Sequence, residues 1–268
     1  MAGYKSTVSA AEYNDSIKQP KSTWVATYKI LTPNTALFEV MTPPDIPVGI
    51  WEMSVQYADA SVLCCNTLCI LFNPWNEGDE TFYPDKSDLE EYVLNELAII
   101  PKWHRKDAWL LDQFSAVCLQ SVLILLSLSQ KDQSLKADQL GSAFAVVKAL
   151  ATAISKYVLE TRWNELEQDT LKTKYDNLEN SWTGSKEILV AHGKTGIRIG
   201  YGHSWCYAGL LTSLCRCIGV PCRMVTIYNF APDVDEDMLV KLDLFDDMLA
   251  ERSKDIVCCP PVLIISDN

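Results

Sequence analysis

The sequence predicts an α+β fold, in which a small antiparallel β region precedes a mainly helical core. Residues 24–72 are rich in β-branched and aromatic residues, and turn-forming segments such as TPPDIPVG divide them. Residues 107–130 and 141–160 carry the long apolar patterns of buried helices. A further strand, CRMVTIYNF, is predicted at 222–230, so strands both precede and follow the helices.

The β region contains four strand-like runs: WVATYKI, TALFEVM, IWEMSVQY and SVLCCNTLCILF. Four antiparallel strands bury one face and need a second layer to cover it. We therefore interpret residues 23–75 as a small and incomplete all-β domain. Residues 1–22 are polar and of mixed charge, and we expect them to form a loose N-terminal arm.

The composition then changes, and residues 76–268 form the second predicted domain. Near its start, Ser87 and Asp88 are expected to cap a helix with the sequence LEEYVLNEL. A shorter helix, SKEILVAH, is predicted at 185–192. The domain is therefore expected to be built from several helices, joined by the loops between these runs.

A buried helix is predicted directly after Ser204, because WCYAGLLTSLCRCI is apolar on nearly every side. Gly219 is a natural residue to end it. Three cysteines, Cys215, Cys217 and Cys222, cluster at this end of the helix. The run around them is apolar and has no paired C-x-x-C spacing, which favours buried small residues. Metal binding is the alternative.

Composition and charge exclude several classes of function. The chain has 268 residues, 48% of them hydrophobic, and a net charge of −12, which argues against binding to nucleic acids or anionic membranes. The most apolar run, SAVCLQSVLILLSLSQ, is too short and too polar in places for a transmembrane segment. The N-terminal segment has no apolar stretch of the signal-peptide type. We expect a cytoplasmic protein, or one released without a signal peptide, with its ten cysteines mostly as thiols.

Three segments resemble animal-type transglutaminases, the calcium-dependent protein-glutamine γ-glutamyltransferases, over about residues 23–240. TPPDIPVGIWEMSV resembles the end of the family's N-terminal β-sandwich, and CILFNPWNEGD with EEYVLNELAII resembles the linker into its catalytic core. YGHSWCYAGLLTSLCRCIGVPCRMVTIYNFA resembles the nucleophile segment, usually Y-G-Q-C-W-V-F-A followed by L-R-C-L-G-I-P-T-R. The resemblance implies a partial β-sandwich followed by a papain-like transglutaminase core that lacks its later strands.

In this family a cysteine thiolate at a helix N-terminus attacks a glutamine carboxamide, ammonia leaves, and an amine takes the acyl group. The cysteine position falls on Ser204, whose hydroxyl stays protonated without a strong base. Ser204 is also a residue suited to a helix cap. Cys206 is the other candidate nucleophile, but it lies two residues further along the helix and points elsewhere.

The family's catalytic histidine and aspartate come after the nucleophile, whereas no histidine follows Ser204 here. The three histidines of the sequence are His104, His192 and His203. A neighbouring side chain such as His203 rarely aligns with a nucleophile as its base. Because RSKDIVCCPPVLI resembles a family segment beyond the aspartate-bearing strand, we expect an internal deletion of the strands that carry both residues.

Two further sites follow from the resemblance. The segment containing Trp163, TRWN, resembles a G-R-W-D-N segment whose indole N–H stabilises the oxyanion, although Trp163 is equally expected as a core residue. Asp233, Asp235 and Asp237 resemble a calcium loop, and alternating carboxylates suit Ca²⁺. The alternative is a solvated acidic loop. A second family calcium loop falls on LATAISKYV, which has no carboxylates, so that site is expected to be lost.

The predicted function is that of a transglutaminase-fold pseudoenzyme or truncated isoform, which is catalytically inactive and acts by binding protein partners. The alternative is an active γ-glutamyltransferase that uses Ser204 or Cys206 with a base not visible in the chain. A third possibility is a non-enzymatic module that responds to calcium.

Overall fold

The fold is seen in a computed structural model that describes residues 5–13, 23–57, 60–101, 106–160, 182–200, 204–226 and 262–263. Its N-terminal part is built from β-strands. A three-stranded sheet contains β1 (Ala11–Glu12), β2 (Val25–Thr32) and β3 (Thr35–Met41), with β2 and β3 antiparallel. A separate antiparallel pair is formed by β4 (Gly49–Tyr57) and β5 (Ala60–Ile70). The four strands predicted for this region are confirmed.

The predicted N-terminal arm contributes the first strand of this sheet. Ala11 and Glu12 pair in parallel with Thr27 and Tyr28 of β2. The two sheets approach each other through Trp24 and Trp51, whose ring centroids are 5.5 Å apart. The aromatic contact therefore joins the start of β2 to β4.

Two acidic residues organise the connection between the β region and the helices. The Asp79 carboxylate accepts hydrogen bonds from the backbone N–H of Asn73 (2.8 Å) and from the N–H and hydroxyl of Thr81 (2.9 and 2.7 Å). The neighbouring Glu80 carboxylate accepts bonds from the Ala143 N–H (2.9 Å) and the Ser142 hydroxyl (3.2 Å). Because Ala143 begins a helix, Glu80 caps that helix from a distant part of the chain.

The first helix, α1 (Lys86–Leu89), continues into a π-helical turn, Glu90–Leu94. Its N-cap is Asp85, whose carboxylate accepts bonds from the N–H and hydroxyl of Ser87 at 2.8 and 2.6 Å. The expected cap at Ser87 and Asp88 is therefore wrong. Both residues lie inside the first turn, and Asp85 precedes them in the extended conformation that a cap requires.

The predicted helix at 107–130 is correct only in its second part. Strands β6 (Leu97–Pro101) and β7 (Lys106–Leu110) form an antiparallel pair, and helix α2 spans Ala116–Lys131. Ser115 caps α2, since its side chain accepts a bond from the Cys118 N–H at 3.3 Å. The error arose because a short apolar run does not by itself distinguish a strand from a buried helix.

Three further helices complete the core: α3 (Ala143–Ala153), α4 (Ser185–Thr195) and α5 (Ser204–Cys217). A π-helical turn, Ile154–Val158, extends α3, and a short 3₁₀ turn, Ala137–Gln139, precedes it. The helices predicted at 141–160 and 185–192 are confirmed. None of the helices in the described part of the chain combines the length and apolar character needed to cross a membrane.

Helix α5 is buried in the core, as predicted from its apolar sequence. Its fully buried side chains include Leu210, Leu214 and Cys215. Gly219 ends the helix region with a φ of +88°, and a Cβ there would collide with the carbonyl of Phe72. The Phe72 N–H donates to the Ile218 carbonyl at 3.0 Å, so the end of the β region is held directly against the end of α5.

After α5, a short strand, β8 (Met224–Val225), pairs in antiparallel fashion with β9 (Val262–Leu263). It confirms part of the strand predicted at 222–230, while residues 227–230 lie outside the described residues. The chain therefore has the predicted α+β class.

Candidate active site

The candidate site lies at the N-terminus of α5. Ser204 is the first residue of this helix and is partly exposed, and residues 201–203 lie outside the described part of the chain. The first N–H groups of a helix have no partner within it, and with the helix dipole they favour negative charge at this end. The residues before Ser204 are not described, so the role of Ser204 as a cap stays a prediction.

A buried tryptophan fixes the position of α5. Trp109 of β7 is 1% exposed and packs directly on Gly209, where a Cβ would lie 2.5 Å from the indole Cε2. Its indole N–H donates to the Ser185 Oγ at 2.9 Å, and the Ser213 Oγ lies 2.6 Å from the same oxygen. The Ser213 Oγ is also 2.8 Å from the Gly209 carbonyl. This hydrogen-bonded set joins β7, α4 and α5 behind the candidate site.

Two chain segments of the second domain run side by side. Leu159 and Ile199 form a parallel bridge, with hydrogen bonds from the Glu160 N–H to the Ile199 carbonyl (2.9 Å) and from the Ile199 N–H to the Val158 carbonyl (2.8 Å). The Arg198 guanidinium adds a bond of 3.4 Å to the Leu159 carbonyl. The segment before Trp163 and the segment before Ser204 thus have the same direction. Trp163 itself lies outside the described residues.

Cys206, the other candidate nucleophile, is fully buried, with 0% of its side chain exposed. A substrate could reach its sulfur only if α5 moved or unfolded locally. The described geometry therefore places Ser204, and not Cys206, at the accessible end of the helix.

The cysteines at the other end of α5 pack in the core. Cys215 and Cys222 are buried, and the Cys222 Sγ lies 3.6 Å from the Thr212 carbonyl. The hydrogen bond to Cys222 and burial raise the pKa of Cys215. Among the described residues, no group of three or more His, Cys, Asp or Glu side chains could hold a metal ion. In this part of the chain, Cys215 and Cys222 are therefore buried core residues.

Arg216 is a buried cation that the sequence analysis missed. Its Nε donates to the Cys222 carbonyl at 2.8 Å, and its Nη1 donates to the Asn95 carbonyl at 2.7 Å. The Gln113 amide donates to the same Asn95 carbonyl at 3.0 Å. Burial lowers the pKa of Arg216. The arginine joins the end of α5 to the turn between α1 and β6.

The predicted calcium ligands, Asp233, Asp235 and Asp237, lie outside the described residues. The second family calcium loop was expected to be lost because LATAISKYV carries no carboxylates. That segment forms the end of α3 and the π-helical turn after it.

Comparison with known proteins agrees with this arrangement. The sequence-family model named Transglutaminase-like superfamily matches residues 145–252, which include α5. A hemocyte protein-glutamine gamma-glutamyltransferase of Tachypleus tridentatus is 27% identical over 242 residues, covering 85% of this chain and 31% of the relative. Residues 145–252 thus match a transglutaminase-like domain, and most of the chain is similar to an animal transglutaminase.

Other transglutaminase relatives support the same assignment. The coagulation factor XIII A chain of Homo sapiens is 30% identical over 187 residues, covering 66% of this chain and 24% of the relative. The crystal structure of red sea bream transglutaminase superposes with a TM-score of 0.61 at 23% identity, covering 84% of this chain and 35% of that chain. The fold is therefore that of a partial transglutaminase core. The chain spans between a quarter and about a third of the length of these relatives.

Sequence reasoning identified the transglutaminase helix but missed the residues that support it, Trp109, Ser185 and Ser213. One signal was available. Gly209 stands inside an apolar helix, where glycine is unfavourable unless something packs closely against the backbone. The partner could not be named, because Trp109 is far away in sequence.

Proposed function

We propose that this chain is a non-catalytic member of the transglutaminase family that acts by binding other proteins. One observation carries the proposal. Ser204 occupies the helix position at which the family's nucleophilic cysteine is expected, and no histidine follows it within the 268 residues. A serine hydroxyl needs an adjacent general base, whereas a cysteine is far more easily ionised.

The packing of α5 in the core supports a role that does not depend on catalysis. In the described residues, Trp109 packs on Gly209 and supports α5 from within the core. Loss of a whole catalytic unit leaves only binding and oxyanion stabilisation, of order 10³–10⁴ over the uncatalysed reaction in the best-studied hydrolases. A retained oxyanion donor at Trp163 is proposed from the resemblance of TRWN to the family's oxyanion segment.

Binding to proteins is supported by apolar side chains at the surface of the β region. Several large residues of β2 and β3 are exposed, including Ile30, Leu31, Leu37, Phe38 and Val40. Clusters of this kind are typical of interaction surfaces. We propose a cytoplasmic location, which the thiol state of the six described cysteines supports.

Amine incorporation tests the absence of catalysis. The purified chain is incubated with Ca²⁺, a glutamine-rich protein and a labelled primary amine, beside an active animal transglutaminase. We expect no incorporation above blank for the native chain, for Ser204→Ala and for Ser204→Cys, because a restored thiol still lacks a histidine. Robust incorporation by the native chain that Ser204→Ala abolishes would overturn the proposal. Activity gained in Ser204→Cys would show that a base is present after all.

The alternative enzyme, which uses Cys206, has its own test. A nucleophilic cysteine is accessible and has a lowered pKa, so it reacts quickly with iodoacetamide. Because Cys206 is buried, we expect its alkylation in the native chain to be slow and to become rapid only on unfolding. Fast and selective alkylation of Cys206 in the folded protein would favour the active enzyme.

Calcium binding by Asp233, Asp235 and Asp237 is a separate proposal. Their alternating spacing suits a hard cation with oxygen ligands. Titration calorimetry should give heat with Ca²⁺ that Asp235→Ala reduces. The absence of heat in the millimolar range would leave these residues as a solvated acidic segment.

A further inference from the structure

Two cysteines from distant parts of the chain meet between helices α2 and α5. Cys118 lies in the first turn of α2 and is fully buried, while Cys217 is the last residue of α5 and is partly exposed. The Cys118 Sγ is 3.6 Å from the carbonyl of Ser213. Residues four apart lie on the same face of a helix, so Cys217 follows Ser213 on the face that α2 covers.

The two side chains share one part of the core. The Ser213 carbonyl near the Cys118 Sγ lies one helical turn before Cys217, Cys118 belongs to the main core, and Cys217 packs against that core. Cys69 of β5 lies near Cys217, because the Phe72–Ile218 hydrogen bond brings the end of β5 against the end of α5. The pair therefore has one buried thiol and one partly exposed thiol, with a further thiol nearby.

The pair is electrostatically asymmetric. The hydrogen bond from Cys118 lowers the pKa of Cys217, although burial opposes this. The same contact and burial raise the pKa of Cys118. Burial also raises the pKa of Cys69. Cys217 is also partly exposed whereas Cys118 is buried, so Cys217 is the sulfur of the pair that can reach and attack a small oxidant.

We propose that Cys217 and Cys118 form a peroxide-sensitive dithiol, whose oxidation to a disulfide ties the start of α2 to the end of α5. Cys217 is the attacking thiol and Cys118 is the resolving thiol. The oxidant is hydrogen peroxide or a small organic hydroperoxide, which is small enough to reach a partly exposed sulfur. The site is independent of the Ser204 end of α5, which lies thirteen residues earlier on the same helix.

Oxidation of the pair to a disulfide takes two steps. The Cys217 thiolate attacks one peroxide oxygen, so that an S–O bond forms and the O–O bond breaks; the leaving hydroxide takes a proton and becomes water. Cys118 then attacks the sulfenic sulfur, so that the S–S bond forms and the S–O bond breaks; the second hydroxide leaves as water with the Cys118 proton. In total, two thiols lose two hydrogen atoms and one peroxide is reduced to two waters.

Peptide mapping tests the pairing, because trypsin separates the cysteines concerned. The full chain is reduced, treated with stoichiometric hydrogen peroxide, alkylated under denaturing conditions and digested. We expect peptide 107–131, which contains Cys118 alone, to be joined to peptide 217–223. We also expect two of the ten thiols to be lost, and dithiothreitol to restore both. Unmodified Cys217, or a link from Cys217 to Cys69, would overturn the proposal.

Matched variants assign the roles. Peptide 217–223 also contains Cys222, so the link must persist in Cys222→Ser and disappear in Cys217→Ser. In Cys118→Ser, Cys217 should stop at the sulfenic acid and become labelled by dimedone. Because Cys118 is buried, Cys118→Ala is the second variant if the serine disturbs folding. Loss of the link in Cys222→Ser, or no sulfenic acid in either Cys118 variant, would contradict the assignment.

Discussion

The contact between Trp109 and Gly209 should make Gly209→Ala strongly destabilising. A Cβ at this position would lie 2.5 Å from Cε2 and 3.0 Å from Cδ1 of the indole, and it would overlap Nε1. The ring cannot withdraw easily, since Trp109 is 1% exposed and its N–H is bonded to Ser185. Overpacking of this kind costs about 1–3 kcal/mol, and loss of the hydrogen bond adds about 1 kcal/mol.

The helical preference of alanine over glycine opposes this by about 1 kcal/mol. The overlap involves several ring atoms, so we expect a net loss close to the upper limit, about 3 kcal/mol. In a chain of this size that corresponds to a fall in Tm of roughly 5–10 °C. Urea unfolding followed by circular dichroism and by tryptophan fluorescence measures the change.

Gly193→Ala is the matched control. Gly193 lies in α4, and a Cβ there would meet nothing within 4 Å. The same substitution should therefore stabilise the chain by up to about 1 kcal/mol through helix propensity alone. Equal stability of Gly209→Ala and the native chain would refute the packing argument. So would an equal loss at both glycines, because the effect would then be one of glycine in general.

Three further predictions concern stability. The hydrogen bond from Lys156 lowers the pKa of Asp132. The ionised Asp132 carboxylate therefore stabilises the fold above its unfolded pKa of about 4, and this stabilisation is lost as the pH falls through the folded pKa. The difference in urea midpoint between the native chain and Asp132→Asn should be largest at neutral pH and shrink on acidification. Glu80→Ala removes the distant cap of the Ala143 N–H and should cost about 1 kcal/mol in urea unfolding, whereas an unchanged midpoint would show that solvent replaces it. Gly219→Ala combines a φ of +88° with a collision against a backbone carbonyl; it should lower Tm by more than Gly209→Ala in calorimetry, and a smaller drop would show that this turn can adjust.

The sequence correctly predicted the elements whose signals are local. The alternating strands of β2 to β5 and the apolar run of α5 need no knowledge of the rest of the chain. The strand β7 was missed because the only evidence for it is its pairing with β6, together with the burial of Trp109 against α5. The cap of α1 was misplaced by two residues, since Asp85, Ser87 and Asp88 are all good capping residues and only the backbone conformation separates them.

The sequence by itself predicted the resemblance to transglutaminases, the strands β2 to β5 and the helix α5, and it showed that serine stands at residue 204 with no histidine after it. These are properties of residue identity and short-range periodicity, which do not depend on where distant segments meet. Only the tertiary structure decided which residues hold α5 in place and which cysteines touch. Trp109 packs on Gly209, Arg216 bonds the Asn95 carbonyl, and Cys118 lies against Ser213, one turn before Cys217, each across about a hundred residues of chain. Such contacts arise from the packing of whole elements, and no local pattern in the sequence encodes them.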